Sequence, residues 1–278
     1  MTITIRHRTA YTYATPANYL IQSLRMTPRP HDGQTIRKWR IDIDQDVRLC
    51  ESEDGFGNIV HTFSINYPID HVTIIAEGSV RSIDTAGVIS GTRERFPPSL
   101  FLRSTALTDP GPDIRAYAAG IGTGLSPLDR LHALMNALVE DMTFDPDPTH
   151  VGTNAHEAFG HRKGVCQDYS HIMLAAARSV GIPARYVNGY FCRCDNVEQQ
   201  DAGHAWIEAY TGPDLGWVGF DPANGICTNE QHVRVAVGLD YQDAAPIRGT
   251  RLGGEGEFMN VSLEVIDGAA SQAQSQSQ

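Results

Sequence analysis

A thiol nucleophile needs a base, and the base needs an orienting partner. Three side chains of this sequence, Cys166, His204 and Asp221, have the types and placement to supply them. Cys166 follows His161–Arg162–Lys163–Gly164 and opens a helical pattern. In the first turn of a helix, unpaired N–H groups and the positive end of the dipole favour an anion, and so a thiolate. A buried cysteine acting as a small hydrophobe is the competing reading, and position alone leaves both open. The base and its partner must therefore be found elsewhere in the chain.

His204–Ala205–Trp206–Ile207–Glu208–Ala209–Tyr210 alternates with period two, as does Trp217–Val218–Gly219–Phe220–Asp221, and the six residues 211–216 between them read as a turn. The pair is predicted to be an antiparallel hairpin. Its register follows from burial, because Ala205, Ile207 and Ala209 must share a face with Val218 and Phe220, and a slip of one residue would turn one set outward. His204 and Asp221 then lie together on the opposite face. If Ile207 opposes Phe220, Trp206 opposes Asp221 and His204 is the diagonal neighbour. Diagonal positions are roughly 7–8 Å apart at the backbone, within reach of an imidazole–carboxylate hydrogen bond. Taken singly, His204 also reads as a satisfied sheet histidine and Asp221 as the start of a turn at Asp221–Pro222. Their joint placement is what points to a Cys–His–acid arrangement.

The elements around these residues fall into two textures. Thr2–Ile5, Tyr11–Tyr13, Trp39–Ile43, Ile59–Ile65 and Val72–Val80 read as strands, punctuated by Pro28, Pro30, Asp32–Gly33 and Asp54–Gly55–Phe56–Gly57–Asn58. Short strands with such turns predict an antiparallel sandwich over residues 1–98. The Asp54–Asn58 loop is first a tight turn, with a cation site as the alternative. After the linker Phe96–Pro97–Pro98, helical periods begin. Ser126–Pro127–Leu128–Asp129 caps an amphipathic helix carrying Leu128, Leu131, Leu134, Met135 and Leu138 and ending near Met142. A second helix starts near Cys166, with a stripe of Val165, Tyr169, Ile172, Met173, Ala176 and Val180, and stops at Gly181–Ile182–Pro183. Strands follow at 184–191, 204–210, 217–221, 232–237 and 258–265. The expected layout is a β-sandwich at 1–98, a core with C-terminal strands at 99–267, and a disordered Ser/Gln/Ala tail at 268–278.

Composition narrows the function. The chain has 278 residues, 33 acidic against 22 basic, a formal charge of −11 and 41% apolar residues, the profile of a globular protein. Nucleic acid is disfavoured as a partner because no Lys/Arg-rich run appears. No stretch of about 18 apolar residues predicts a membrane span, and Met1–Ala10 lacks the apolar stretch of a signal peptide. Five cysteines without an even framework read as reduced thiols in a cytoplasm. Cys192–Arg193–Cys194 with Cys227 would be the material for a metal site, but structural zinc usually takes two ligand pairs, so no metal and no cofactor is expected. Oligomeric state is left open.

Several blocks then carry a resemblance. Gly164–Val165–Cys166–Gln167–Asp168–Tyr169, the run from Arg178 to Tyr190, His204–Ala205–Trp206–Ile207–Glu208 and Gly216–Trp217–Val218–Gly219–Phe220–Asp221–Pro222 stand in the order seen in the bacterial transglutaminase-like superfamily. The N-terminal β region and Val235–Tyr241 are similar to flanking parts of bacterial members. The resemblance implies an α+β fold: a papain-like core, its cysteine-bearing helix packed on an antiparallel sheet or barrel, beside an N-terminal β-sandwich. It also implies Cys166 as nucleophile, His204 as base and Asp221 as its orienter. The expected activity is acyl transfer on amide bonds of peptides or proteins through a thioester, most readily as a peptidase or amidase. A glutamine transamidase or deamidase and a non-catalytic binding module are the alternatives. Trp206 is either a wall of the substrate groove or a packed aromatic.

Overall fold

The computed structural model describes residues 1–193, 199–200 and 202–268. Cys194 and residues 269–278 of the expected tail lie outside them. The architecture is mixed α and β, with curled antiparallel sheets and few helices. Among the described residues, no helix is long and apolar enough to cross a membrane.

The first sheet is organised by one strand of 26 residues, Thr2–Thr27. Its first half pairs on one side with Ile69–Ser82 and on the other with Glu257–Asp267. Its second half pairs with Ile59–Ile65 and Ile247–Gly253. The pairing with Ile69–Ser82 shifts register between Thr12 and Ala17, which lets one strand serve both halves. Residues 247–267, expected with the core, thus lie in the sheet begun by residue 2. The Ile247–Gly253 strand was not foreseen: most of its residues are exposed, so it carries no alternation. Gly253, Gly254 and Gly256, all at positive φ, turn the chain between the last two strands.

The second sheet carries His204 and Asp221. Its strands run in the order Ile226–Cys227, Trp217–Asp221, His204–Tyr210, Ala184–Phe191, His232–Gly238, with Val88–Ile89 added beside Trp217. The helix Cys166–Ser179 packs on this sheet, and helices Gly111–Gly120, Pro127–Asp141 and Ala155–His161 pack around it. Its burial is therefore not a stripe: every residue from Asp168 to Arg178 is buried. Several of the polar ones have buried partners. Ser170 Oγ donates to the Cys166 carbonyl at 2.7 Å, and Arg178 donates to the carbonyls of Ala184 and Leu239. One apolar cluster joins Ile3, Ile5 and Val265 of the first sheet to Ile172 of the helix and Ile207 and Phe220 of the second sheet.

The Asp54–Asn58 loop fastens the first sheet to the second. Asp54 is a turn acceptor, taking N–H groups of Phe56 and Asn58 on Oδ1 and Arg25 Nε and Asn58 Nδ2 on Oδ2. The carboxylate the cation reading needed is thus committed to four donors. Asn58 is 3% exposed and mimics a strand: its Oδ1 accepts from Val237 N at 2.8 Å and its Nδ2 donates to the Val237 carbonyl at 2.7 Å. Asn58→Ala strands both Val237 groups, and a stability loss of about 3 kcal/mol is expected in denaturant unfolding.

Candidate active site

The two strands that bear His204 and Asp221 pair with Ile207 opposite Phe220 and Ala209 opposite Val218, the register the apolar faces require. His204 Nε2 lies 2.7 Å from Asp221 Oδ2. The Asp221 carboxylate divides its contacts between its two oxygens. Oδ1 starts the turn by accepting from Ala223 N and Asn224 N at 3.1 and 3.3 Å. Oδ2 accepts from His204 Nε2, from Asn224 Nδ2 at 2.7 Å and from His232 Nε2 at 3.2 Å. Burial works against the Asp221 charge, yet His204 and these donors outweigh it and hold the carboxyl well below the usual carboxylate range.

Asp221 holds the imidazole through Nε2, which leaves Nδ1 as the ring's other polar atom. Cys166 is the first residue of its helix and is half-buried, and it lines one cleft together with His204. Burial favours neutral imidazole, but Asp221 and Cys166 together dominate and raise the His204 pKa from 6.5 to about 10. The helix start is locally specified. Val165 at the N-cap has no side-chain acceptor, and Asp168 reaches back instead, accepting from Val165 N at 2.8 Å and from Thr149 Oγ1 at 2.7 Å. Gln167 donates to the Val151 carbonyl at 3.2 Å, so its carboxamide is engaged beside the cysteine.

Two clefts flank His204. One, of about 340 Å³, is lined by Cys166 and His204 together with residues of the first sheet, among them Tyr11 and Val261. The other, of about 560 Å³, is lined by His204, Phe144, Phe191, Asn224 and Ile226. Trp206 lines neither. It is 1% exposed and packs with Val187 and Val237, its ring 5.2 Å from that of His232. The groove-wall reading of Trp206 therefore gives way to the packed aromatic. Gly189, opposite His204, makes room for that ring, since a Cβ there would collide with Trp206 and the Val233 carbonyl.

Sequence reasoning missed His232 and Asn224. His232 was read only as the start of a strand; the pairing of His232 with Phe191 carries it to Asp221, and no local pattern encodes that. Asn229 N donates to His232 Nδ1 at 3.2 Å, so Nε2 bears the proton that Asp221 accepts, and burial lowers the His232 pKa. His204, Asp221 and His232 are also the one group of three candidate metal-ligand atoms found together among the described residues, within 4.8 Å. The Asp221 oxygen among them already accepts from His232 Nε2 and from the Asn224 amide. His232→Phe keeps the ring contacts and removes the donor, so a loss of about 2 kcal/mol is expected in thermal or denaturant unfolding. Cys192 is buried and Cys227 lies 4.0 Å from His132 Nε2, while their expected companion Cys194 lies outside the described residues.

Comparison with known proteins settles the family. The uncharacterized protein ML0607 of Mycobacterium leprae is 30% identical over 273 residues, covering 93% of this chain and 96% of that protein. Rv2569c of Mycobacterium tuberculosis, also uncharacterized, is 30% identical over 290 residues, covering 94% of this chain and 91% of that protein. The model of the transglutaminase-like superfamily matches residues 115–222, and that of the bacterial transglutaminase-like N-terminal region matches residues 3–81. The chain belongs to the transglutaminase-like superfamily. A solved structure from Cytophaga hutchinsonii, provisionally described as a cysteine protease, superposes with a TM-score of 0.77 at 19% identity, covering 96% of this chain and 90% of that one. The transglutaminase-like fold is thus shared along nearly the whole chain, first sheet included. The superfamily's core match spans Cys166, His204 and Asp221.

Proposed function

We propose that this transglutaminase-like protein is a cysteine-dependent acyl-transfer enzyme that hydrolyses amide bonds of peptides or proteins. Cys166 is the nucleophile, His204 its acid and base, and Asp221 the group that orients His204. The observation that carries the reading is the His204 imidazole held at 2.7 Å by a buried carboxylate through Nε2 while lining, with Cys166, one cleft.

The Cys166 thiolate, paired with the His204 imidazolium, attacks the amide carbonyl carbon. The backbone N–H of Cys166, at the helix start, donates to the oxyanion. Nδ1–H of His204 protonates the departing amine as the C–N bond breaks, leaving a thioester on Cys166. His204, now neutral, takes a proton from a water that attacks the thioester, and the acid product leaves as Sγ is released. Asp221 keeps the ring in one orientation and stabilises its charge throughout. An amine in place of water would give transamidation from the same thioester, and the description of the Cytophaga protein favours hydrolysis. Cys50, Cys166 and Cys227 are free thiols, which suits a reducing compartment such as the cytoplasm.

Incubation with glutamine-containing peptides, with and without a primary amine, tests the assignment by product mass, with Cys166→Ala as the control. Backbone cleavage that vanishes in Cys166→Ala is expected. Cys166-dependent deamidation or amine incorporation instead would move the protein to the transamidase reading. Reaction independent of Cys166 would overturn both.

A further inference from the structure

We propose that the cleft beside Cys166 receives the acyl half of the substrate and selects a neutral, apolar side chain there, with the first sheet supplying the selecting wall. The inference rests on the acyl-transfer reading and names its substrate class.

The nucleophile decides which half goes where. The acyl carbon becomes bonded to Sγ, so the acyl half must occupy the cleft that contains Cys166. The cleft reached by His204 without Cys166 is left for the amine half.

The chemistry of the acyl cleft follows from strand pairing. Thr9 pairs with Val261 and Tyr11 with Met259, and period-two alternation presents all four to the same face. These four line the cleft, Ile247 and Pro246 from the neighbouring strand extend the wall, and Tyr186 and Tyr241 lie on the side of Cys166. Polar groups at its floor are already engaged with one another: His7 is hydrogen-bonded through Nδ1 to Tyr190 Oη at 3.1 Å and through Nε2 to Thr9 Oγ1 at 3.3 Å. Burial also lowers the His7 pKa to about 4, so it brings no cation to the floor near neutral pH. Among the described residues of the lining, none is Asp, Glu, Lys or Arg, in a chain with 33 acidic and 22 basic residues. A carboxylate side chain entering here would lose its hydration and meet no Lys or Arg among the described lining residues, and the His204 imidazolium at the cleft edge is already paired with Asp221. An aromatic or branched side chain would instead bury its surface against Tyr11, Val261 and Met259. The volume of about 340 Å³ lies at the lower end of ligand pockets, suited to one large side chain and the amide beside it.

The test uses the full chain with Cys166→Ala and two blocked peptides, acetyl-Ala-Phe-Gly-amide and acetyl-Ala-Glu-Gly-amide. Binding is read by NMR from the methyl groups of Ile247, Met259 and Val261. At least tenfold tighter binding of the phenylalanine peptide is expected, with shifts on those methyls. Equal binding, or shifts confined to other methyls, would overturn the inference. Met259→Lys, at a position 53% exposed and so tolerant of the change, should shift the preference at least tenfold toward the glutamate peptide; an unchanged ratio counts against the wall. Turnover by the wild type separates this inference from the reading beneath it. Selective binding without Cys166-dependent cleavage removes the hydrolase reading and leaves the apolar site. Cleavage of both peptides at equal rates does the reverse.

Discussion

Replacing His204 with alanine should lower kcat/KM for peptide hydrolysis roughly 1,000- to 10,000-fold while leaving the protein folded, because the acid, the base and the partner of the thiolate are lost together. Asp221→Asn should approach that loss by a different route. The imidazole would remain, but its nitrogen would face an amide and its charge would go uncompensated. The two variants differ in pH dependence. In the wild type, His204 is raised to about 10 because Asp221 and Cys166 outweigh its burial, so activity should persist into alkaline solution and fall as the imidazolium loses its proton toward pH 10. In Asp221→Asn the burial penalty stands without the carboxylate, and the alkaline limb moves to lower pH. The same shift carries a stability consequence. The folded pKa lies above the ordinary 6.5, so the contribution of His204 is complete below about pH 6.5 and is lost as pH rises through about 10. A pH profile of kcat/KM for the residual activity, beside unfolding midpoints for each variant, checks both limbs.

Glu208→Ala should be the most damaging substitution for stability, at about 3–5 kcal/mol. Glu208 sits in the hairpin four residues after His204, on the same face of the strand, and is fully buried. Its Oε2 accepts from Arg185 Nε at 2.6 Å and its Oε1 from Arg234 Nε at 2.6 Å. Arg185 is itself buried, lies 4.0 Å over the Trp217 ring and reaches Glu94 with its two remaining nitrogens at 2.6 and 3.0 Å. Removing Glu208 leaves two guanidinium groups without their central anion in a low-dielectric site. Burial disfavours the Glu208 charge, but Arg234 and Arg185 overcome it and lower its pKa from 4.5 to about 2. Because the folded value is depressed, the stabilisation is present above about pH 4.5 and is lost as pH falls toward 2. The gap between wild type and Glu208→Ala in urea should therefore shrink below pH 4. A pair change that keeps volume, Glu208→Leu with Arg185→Met, should recover much of the loss, since breaking a buried pair costs more than replacing it.

The hairpin was readable because its information is local. Period-two alternation fixes the strands 204–210 and 217–221, and burial of Ile207, Val218 and Phe220 fixes their register. From that, the meeting of His204 and Asp221 followed without knowledge of the rest of the fold. The positions of His232 and Arg185 did not follow, since each depends on a strand pairing between distant segments. Likewise the return of residues 247–267 to the strand Thr2–Thr27 is a pairing across some 240 residues, with exposed Arg248, Thr250 and Leu252 giving no apolar face to announce it. The helix Cys166–Ser179 was placed correctly but misjudged in burial. Its Ser170, His171 and Arg178 look like a solvated face in sequence, yet each has a buried partner: the Cys166 carbonyl, Tyr241 N and the Ala184 carbonyl respectively. The acyl cleft was least legible of all, because the first sheet and the cysteine helix contribute to it from opposite parts of the chain.

The central claim is that Cys166 carries the acyl group. Intact-protein mass measurement after rapid acid quenching, with an activated ester of an apolar N-acetylated amino acid as acyl donor, tests it directly. The wild type should gain the mass of one acyl group, mapped to the peptide containing Cys166 and released by hydroxylamine as a thioester is, while exposed Cys50 stays unmodified and Cys166→Ala gains nothing. An adduct that persists in Cys166→Ala, or one distributed over Cys50 and Cys227 as readily as Cys166, would contradict it.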